Sequence, residues 1–559
     1  MKNPYRSFAV SVLFLASVMI PHKVQSWQQT TVASPRAEHS LTPAEEQATS
    51  FVKTETIREV VSALVNKDME GRGAAQKGGE KAARYIAERM KAIGLKPLGE
   101  HGSYFQKVNL RGFRVLPESF VKIENQSFKQ GQEIIIIPGT LSQTLLTRQV
   151  EVRGEIVFAR YGVVSSVVKR DDLAGMDVRG KIVALVEGVP DKAKVEQWAS
   201  VSLVTIVRGV TERGALGVLW LPNSADLDSA RRHSYLRGLA LLDLPHLRSG
   251  LAPAALLSPA AAEQLFAGTG MTFQEALAKT KAGEFVSPNL GKKGMLSIRF
   301  AFEPQNVRSD NVVAMLEGSD PKLTSQAIVY SAHYDAYGIE SDGKIYPGAG
   351  DNALGVGNML AVAEAFCRIS ARPRRSVVFL APTGEEKGHS GSYHWVNHPT
   401  WSLSKIAANL NFDGIGSEVW GPVGAFYGIG VQQSDLQTLL NDLSTAMGAT
   451  LMPEADPAER LFQRSDSFEF AQRGIPTVYV VGLGGDQSKI QTRVKQFFKE
   501  HYHQVSDVVR DDWDWSGPKK LADFYLIAGL RIGNAEALPA WLPTSAFDRS
   551  RGTQATGPR

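Results

Sequence analysis

The sequence predicts an α/β protein: a mixed, mostly parallel sheet flanked by helices, with a β-rich domain inserted into it. Three observations carry this. From about residue 296, apolar β-prone runs alternate with helical stretches, the pattern of strands joined by crossover helices. From 131 to 295 the helices thin out into short β-rich runs and turns. Ahead of both lie two helical stretches at apolar helical spacing.

Taken in order, Lys2 and Arg6 precede the apolar stretch Phe8–Ile20, and Val24-Gln25-Ser26 offers a small-residue cleavage site. Residues 1–26 therefore read as an export signal, too short to span a bilayer comfortably. The expected location is periplasmic or extracellular, with no stable membrane insertion after cleavage. Residues 27–52 are polar and aperiodic and read as a linker. The helices "ETIREVVSALV" and "GGEKAARYIAERMKAIGL" follow, the second stopped by Gly94, with "DMEGRGA" as a glycine-rich turn between them. Residues 53–130 form the first part of the main domain. In 131–295, "EVRGEIVFARYG", "GKIVALVEG" and "GALGVLWLPN" are the strand-like runs.

Residues 296–540 complete the main domain. "SQAIVYSAH", "RRSVVFLAPTGEE", "KIAANLNFDG" and "GIPTVYVVGL" read as buried strands, while "GVGNMLAVAEAFCRI", "SDLQTLLNDLSTAMG" and "PKKLADFYLIAGLRI" read as helices. The end, 541–559, is polar and expected to be disordered.

Bulk properties narrow the function. Hydrophobic residues make up 43% and charged residues 21%, an ordinary globular balance. Removing three basic residues of the leader (Lys2, Arg6, Lys23) from the net +5 leaves +2, which argues against a nucleic-acid surface. The basic run "ARRHSYLRG" (230–238) reads as a solvated loop. Cys367 is the single cysteine and sits mid-helix, which excludes an intrachain disulfide and argues against cysteine-protease chemistry.

In open α/β sheets, ligands gather beyond the carboxyl ends of the strands. His333 and Asp335 follow one strand, Glu385 and Glu386 a second, and Asp413 a third. Asp351 lies in the glycine-rich "GAGDNALGVG", and "HYHQVSD" adds His501, His503 and Asp507. His333 and Asp335 alternate onto one side of an extended chain, so the carboxylate is placed to hold the ring nitrogen that faces away from a metal. So many carboxylates on one rim would repel one another unless a divalent cation, or two, sat among them.

The order HxD, GAGDN, EE, NxD, YHxxxD resembles the M28 family of co-catalytic zinc exopeptidases, over residues 53–130 and 296–540. "DDLAGMDVRGKIVALVEG" resembles the protease-associated domain inserted in many members. The resemblance implies the zinc-exopeptidase α/β/α sandwich, two zinc ions or another divalent metal, and peptide or protein substrates. It implies that Asp351 bridges the metals, with His333 and Asp413 on one and Glu386 and His503 on the other. Asp335 orients His333, and Asp507 serves His503 likewise. Glu385 is implied as the general base that activates a metal-bridging water. The implied activity is that of a secreted aminopeptidase. Alternatives on the same fold are glutaminyl-cyclase-like acyl transfer, carboxypeptidase action and a receptor-like binding protein. A glycosidase using Glu385 and Asp413 leaves His333 and His503 without work.

"RSDSFEFAQRGIP" resembles the segment that shapes the substrate pocket, which makes Arg464 and Asp466 candidate substrate contacts. Ser467 stands where the family usually has histidine. His501 is the rival ligand, on the same face as His503 if that segment is extended. His389 stands where the family usually has an apolar residue and reads as a surface polar group. His394 and His398 share a helix face.

Overall fold

A computed structural model describes residues 40–137, 148–223, 238–242, 251–284, 287–340, 343–455 and 460–548. Residues 1–26, read above as an export signal, and nearly all of the basic run 230–238 lie outside them. The helices that matter for the site are α1 (Pro43–Thr49), α2 (Thr54–Leu64), α3 (Lys77–Ile93), α4 (Leu354–Arg368), α5 (Ser390–Asn397), α6 (Leu436–Ala446), α7 (Ser467–Gln472), α8 (Ile490–Glu500) and α9 (Ser516–Asn534). The strands of the main sheet are β1 (Phe105–Val115), β2 (Lys292–Phe302), β3 (Val307–Leu316), β4 (Ala327–Ser331), β5 (Ser376–Ala381), β6 (Ile406–Asn411), β7 (Val423–Ile429) and β8 (Thr477–Gly484).

Four strands, in spatial order β5-β4-β6-β8, run parallel. Antiparallel β3 and then β1 extend the β5 side, and antiparallel β7 extends the β8 side. Strands β4, β5, β6 and β8 are fully buried, as strands covered on both faces are, and all are largely apolar except β6, which buries Asn409 and Asn411. Alternation along β4 shows the two faces. Ile328 and Tyr330 pack with α2, α4 and α9, whereas Ala327 and Val329 pack with Trp395 of α5 and Phe470 of α7.

The chain leaves β4 for β5 on one side through α4, then crosses to β6 on the other side through α5. That reversal opens a crevice at the carboxyl end of β4, where open α/β folds bind ligands. His333 lies two residues past that end.

The β-rich part has its own core, around Phe158, Trp220 and Phe266. Its strands Gln149–Phe158, Ile182–Val186, Gly217–Leu221 and Ala254–Leu257 pair in parallel, with four helices among the described residues of this part. Two strands tie it to the main sheet. β2 pairs with Gln149–Phe158 along most of its length and with β1 at its end, and Gly238–Leu241 pairs with β1. A loop of the same part docks beside the crevice. The Gln463 side-chain amide donates to the carbonyls of Trp198 and Ala199, 2.9 Å each.

Two expectations at the ends need correction. α1 lies inside the stretch read as linker, started by Pro43 and a capping box between Thr42 and Glu45. Its Glu45 pairs with Arg531 of α9 at 2.7 Å. At the other end, Trp541 and Phe547 are buried against Phe462 and Phe468, so 541–548 is packed chain. Two large aromatics outweighed the polar composition of that segment.

Candidate metal centre

His333 is 1% exposed, and its Nε2 faces three carboxylates: Asp351 Oδ1 at 3.3 Å, Asp413 Oδ1 at 3.6 Å and Glu385 Oε2 at 4.0 Å. His503 Nε2 faces Asp351 Oδ2 at 3.2 Å and Glu386 Oε2 at 3.1 Å. Asp351 thus turns one oxygen to each histidine. Two groups of metal-donor geometry result, His333–Asp351–Asp413 and Asp351–Glu386–His503, with donor atoms in each within 4.8 Å of one another.

Asp351 is held from behind. Gly348, at φ 60°, turns the chain into the Ala349–Ala353 turn, where a Cβ would collide with the Asp351 carbonyl. The Asp507 carboxylate accepts the main-chain N–H of Gly350 at 2.9 Å and of Asp351 at 3.1 Å. Asp507 therefore positions the loop of Asp351. The ring of His503 is held instead by the Tyr337 hydroxyl, 3.1 Å from Nδ1, and by stacking on Tyr502 at 3.6 Å.

Asp335 places its carbonyl 3.2 Å and its carboxylate 3.7 Å from His333 Nδ1. The carboxylate also accepts the Glu385 N–H at 3.1 Å, so one residue links two strand ends. His501 and His503 do not share a strand face. α8 ends at Glu500, and a tight turn with His503 at φ 55° aims that ring into the site. His501 bonds to Ser506 instead.

Behind the loops sits a residue that sequence reasoning passed over. Arg72, fully buried, donates to the carbonyls of Leu64, Tyr334, Pro347 and Gly348 at 2.6–2.9 Å. It pins the His333 and Asp351 loops together and sets a cation behind the acidic cluster. Glycine-rich "DMEGRGA" gave no periodic signal for it. Burial lowers its pKa to about 10, against the opposing pull of Asp507, Asp335 and Asp351.

The electrostatics describe a cluster built for a cation. Burial raises Glu385 to about 8 and pushes Glu386 and Asp413 upward from their ordinary values. Burial opposes the charge on Asp351 too, but hydrogen bonds from His333 and His503 override it and hold that carboxyl well down. His333 Nε2 and Glu386 Oε1 are buried without a hydrogen bond of adequate geometry. Two imidazoles and three carboxylates around a shared gap fit zinc.

The candidate substrate residues diverge. Arg464 is exposed at the rim and donates to the Tyr502 hydroxyl at 3.0 Å. Asp466 is fully buried, and burial raises its pKa to about 6. His394 and His398 stack on each other at 4.5 Å, away from both donor groups.

All six residues of the two donor groups and Glu385 fall within 311–527, the segment that matches the model of peptidase family M28. Residues 311–527 are similar to peptidase family M28. The fold is that of an aminopeptidase from Aneurinibacillus sp. strain AM-1, 18% identical with a TM-score of 0.53, over 88% of this chain and 97% of that one.

A vacuolar membrane protease of Clavispora lusitaniae is 35% identical over 113 residues, 20% of this chain and 10% of that protein. A probable zinc metalloprotease of Pyricularia oryzae is 36% identical over 116 residues, 20% of this chain and 22% of that protein. The match thus spans about a tenth of the vacuolar protease and about a fifth of the second relative. The vacuolar relatives overturn the expected periplasmic or extracellular location: matches of 110–113 residues are to proteins named for the vacuolar membrane, also in Candida dubliniensis and Saccharomyces cerevisiae. No helix among the described residues is long and apolar enough to cross a membrane.

Proposed function

We propose that the chain is a dinuclear zinc exopeptidase of the aminopeptidase type, acting on peptide or protein substrates. The observation that carries this is Asp351, whose two carboxylate oxygens each face a separate histidine-containing donor group. In this reading His333 and Asp413 would hold one ion and Glu386 and His503 the other, with Asp351 common to both donor groups. When bound, the ions supply Lewis-acid polarisation of the scissile carbonyl and charge stabilisation of the attacking oxygen.

Glu385 acts as general base. Its carboxylate lies at the edge of the donor groups without belonging to either, and burial holds its pKa at about 8, close to a working pH. It takes a proton from the attacking water and returns it to the departing amine as the C–N bond breaks. Asp335 fixes the Glu385 main chain, and Asp507 and Arg72 hold the loops that carry Asp351 and His333. Arg464, exposed beside Tyr502, is the candidate contact for substrate. The part spanning 131–295 is read as a protease-associated-like domain whose loop at Trp198–Ala199 narrows access to the site.

The test separates adjacent glutamates. Glu385→Gln keeps size and hydrogen bonding but cannot accept the proton, so it is expected to retain metal while turnover falls by roughly 10²–10⁴-fold. Glu386→Gln is expected to lose metal occupancy, with partial recovery in excess zinc. Metal content by elemental analysis and turnover on amino-acid anilides and dipeptides read both. Metal loss in Glu385→Gln with retention in Glu386→Gln would reverse the roles, and unchanged turnover in both would defeat the mechanism.

A further inference from the structure

His389 has no part in the function proposed above, yet it is built into the site. It stands at the N-terminal end of α5 at φ 53°, its N–H donating to the Glu385 carbonyl at 3.0 Å and its own carbonyl accepting from Tyr393 at 2.8 Å. That fixed turn aims the ring back over Glu385, with Nε2 at 3.3 Å from Oε1. On the opposite edge, Nδ1 lies 3.4 Å from Oε1 of Glu469, which comes from α7. The three side chains are only 10–15% exposed.

A histidine between two carboxylates satisfies both only by donating from both nitrogens. Glu469 therefore keeps the ring oriented and charged, and the ring in turn grips one oxygen of Glu385. The other oxygen, Oε2, points at the donor groups, 4.0 Å from His333 Nε2. Without that grip Glu385 keeps the attraction of His333 and the repulsion of Asp413 but loses the contact that fixes Oε1.

We propose that His389, backed by Glu469, is a positioning residue that anchors Oε1 of Glu385 and so makes Oε2 the oxygen that takes and returns the proton. The inference rests on the assignment of Glu385 as base. A surface role does not account for a ring enclosed between two acids.

The experiment compares His389→Leu, His389→Gln and Glu469→Gln, alone and in the Glu385→Gln background, by metal content, kcat and KM. His389→Leu is expected to keep its metal and a KM within about threefold, while kcat falls on the order of 10–100-fold, the scale of a misplaced catalytic group. His389→Gln, whose amide can still donate to Oε1, is expected to recover part of that loss. Glu469→Gln, which keeps volume, is expected to lower kcat less than His389→Leu. In the Glu385→Gln background His389→Leu is expected to cost nothing further, because it acts through the group already removed. Full turnover in His389→Leu or in Glu469→Gln, loss of metal in His389→Leu, or losses that multiply in the double variant would each overturn the proposal. Full turnover in Glu385→Gln alone would instead overturn the assignment of the base.

Discussion

Glu418, just before Trp420 on the 3₁₀ turn after β6, is 5% exposed, and one of its carboxylate oxygens has no hydrogen-bond partner. Burial raises its pKa from 4.5 to about 7, against a small opposing pull from its own main-chain N–H. Between those values the folded chain binds a proton that the unfolded chain releases, so its contribution to stability falls as pH rises from 4.5 to 7. Above pH 7 the buried charge costs about 3 kcal/mol. Glu418→Gln is expected to raise the unfolding midpoint at pH 8 and to change it little at pH 5. Equal shifts at the two pH values would show that the carboxylate does not carry this charge cost. At the same scale, His333, Glu386 and Asp413 stood out because each follows a recognisable strand, and Asp351 because it lies in a glycine-rich loop. Arg72, Tyr337 and Glu469 did not. Their partners are main-chain carbonyls or residues far along the chain, and no local pattern marks such pairings.

Among the elements, α9 shows how tightly the site's supports are fitted. A Cβ at Gly529 would overlap the Tyr330 hydroxyl, which donates to the Tyr525 carbonyl at 2.7 Å. The Tyr525 hydroxyl in turn accepts the Val480 N–H at 2.7 Å and donates to the Asn411 carbonyl at 2.6 Å, tying β6 and β8 together two residues before Asp413. In an exposed helix Gly→Ala stabilises by up to about 1 kcal/mol. Here Gly529→Ala is expected to destabilise by about 1–3 kcal/mol through overpacking, read from urea unfolding. A midpoint at or above the parent's would mean that α9 shifts without cost. Helix boundaries were readable from apolar spacing and from stops such as Gly94, which caps α3 in the left-handed conformation at φ 95°. The end of α8 was not. The segment at His501 and His503 carries alternating side chains that suit a strand, but it follows a helix and closes as a turn.

On the scale of the whole molecule, the parallel sheet brings three carboxylates and two histidines from five separate segments to one crevice. That concentration of acid is a cost to folding unless a cation offsets it. Zinc is expected to raise the thermal midpoint of chelated protein and restore turnover, since a ligand at 100 times its dissociation constant adds about 2.7 kcal/mol. A midpoint that zinc leaves unmoved, with turnover restored, would mean that the acidic cluster is tolerated without metal.

The alternation of strands and helices, the parallel core and the placing of His333, Asp351, Glu385, Glu386 and Asp413 at strand ends or in the glycine-rich loop were determined by the sequence alone. Apolar periodicity and glycine placement are local properties and can be read locally. Tertiary structure alone decided which histidine turns inward, that Asp507 holds the Asp351 loop, that Arg72 lies behind it and that Glu469 reaches His389. Those choices depend on how separate elements pack against one another in three dimensions, and linear spacing does not encode that distance.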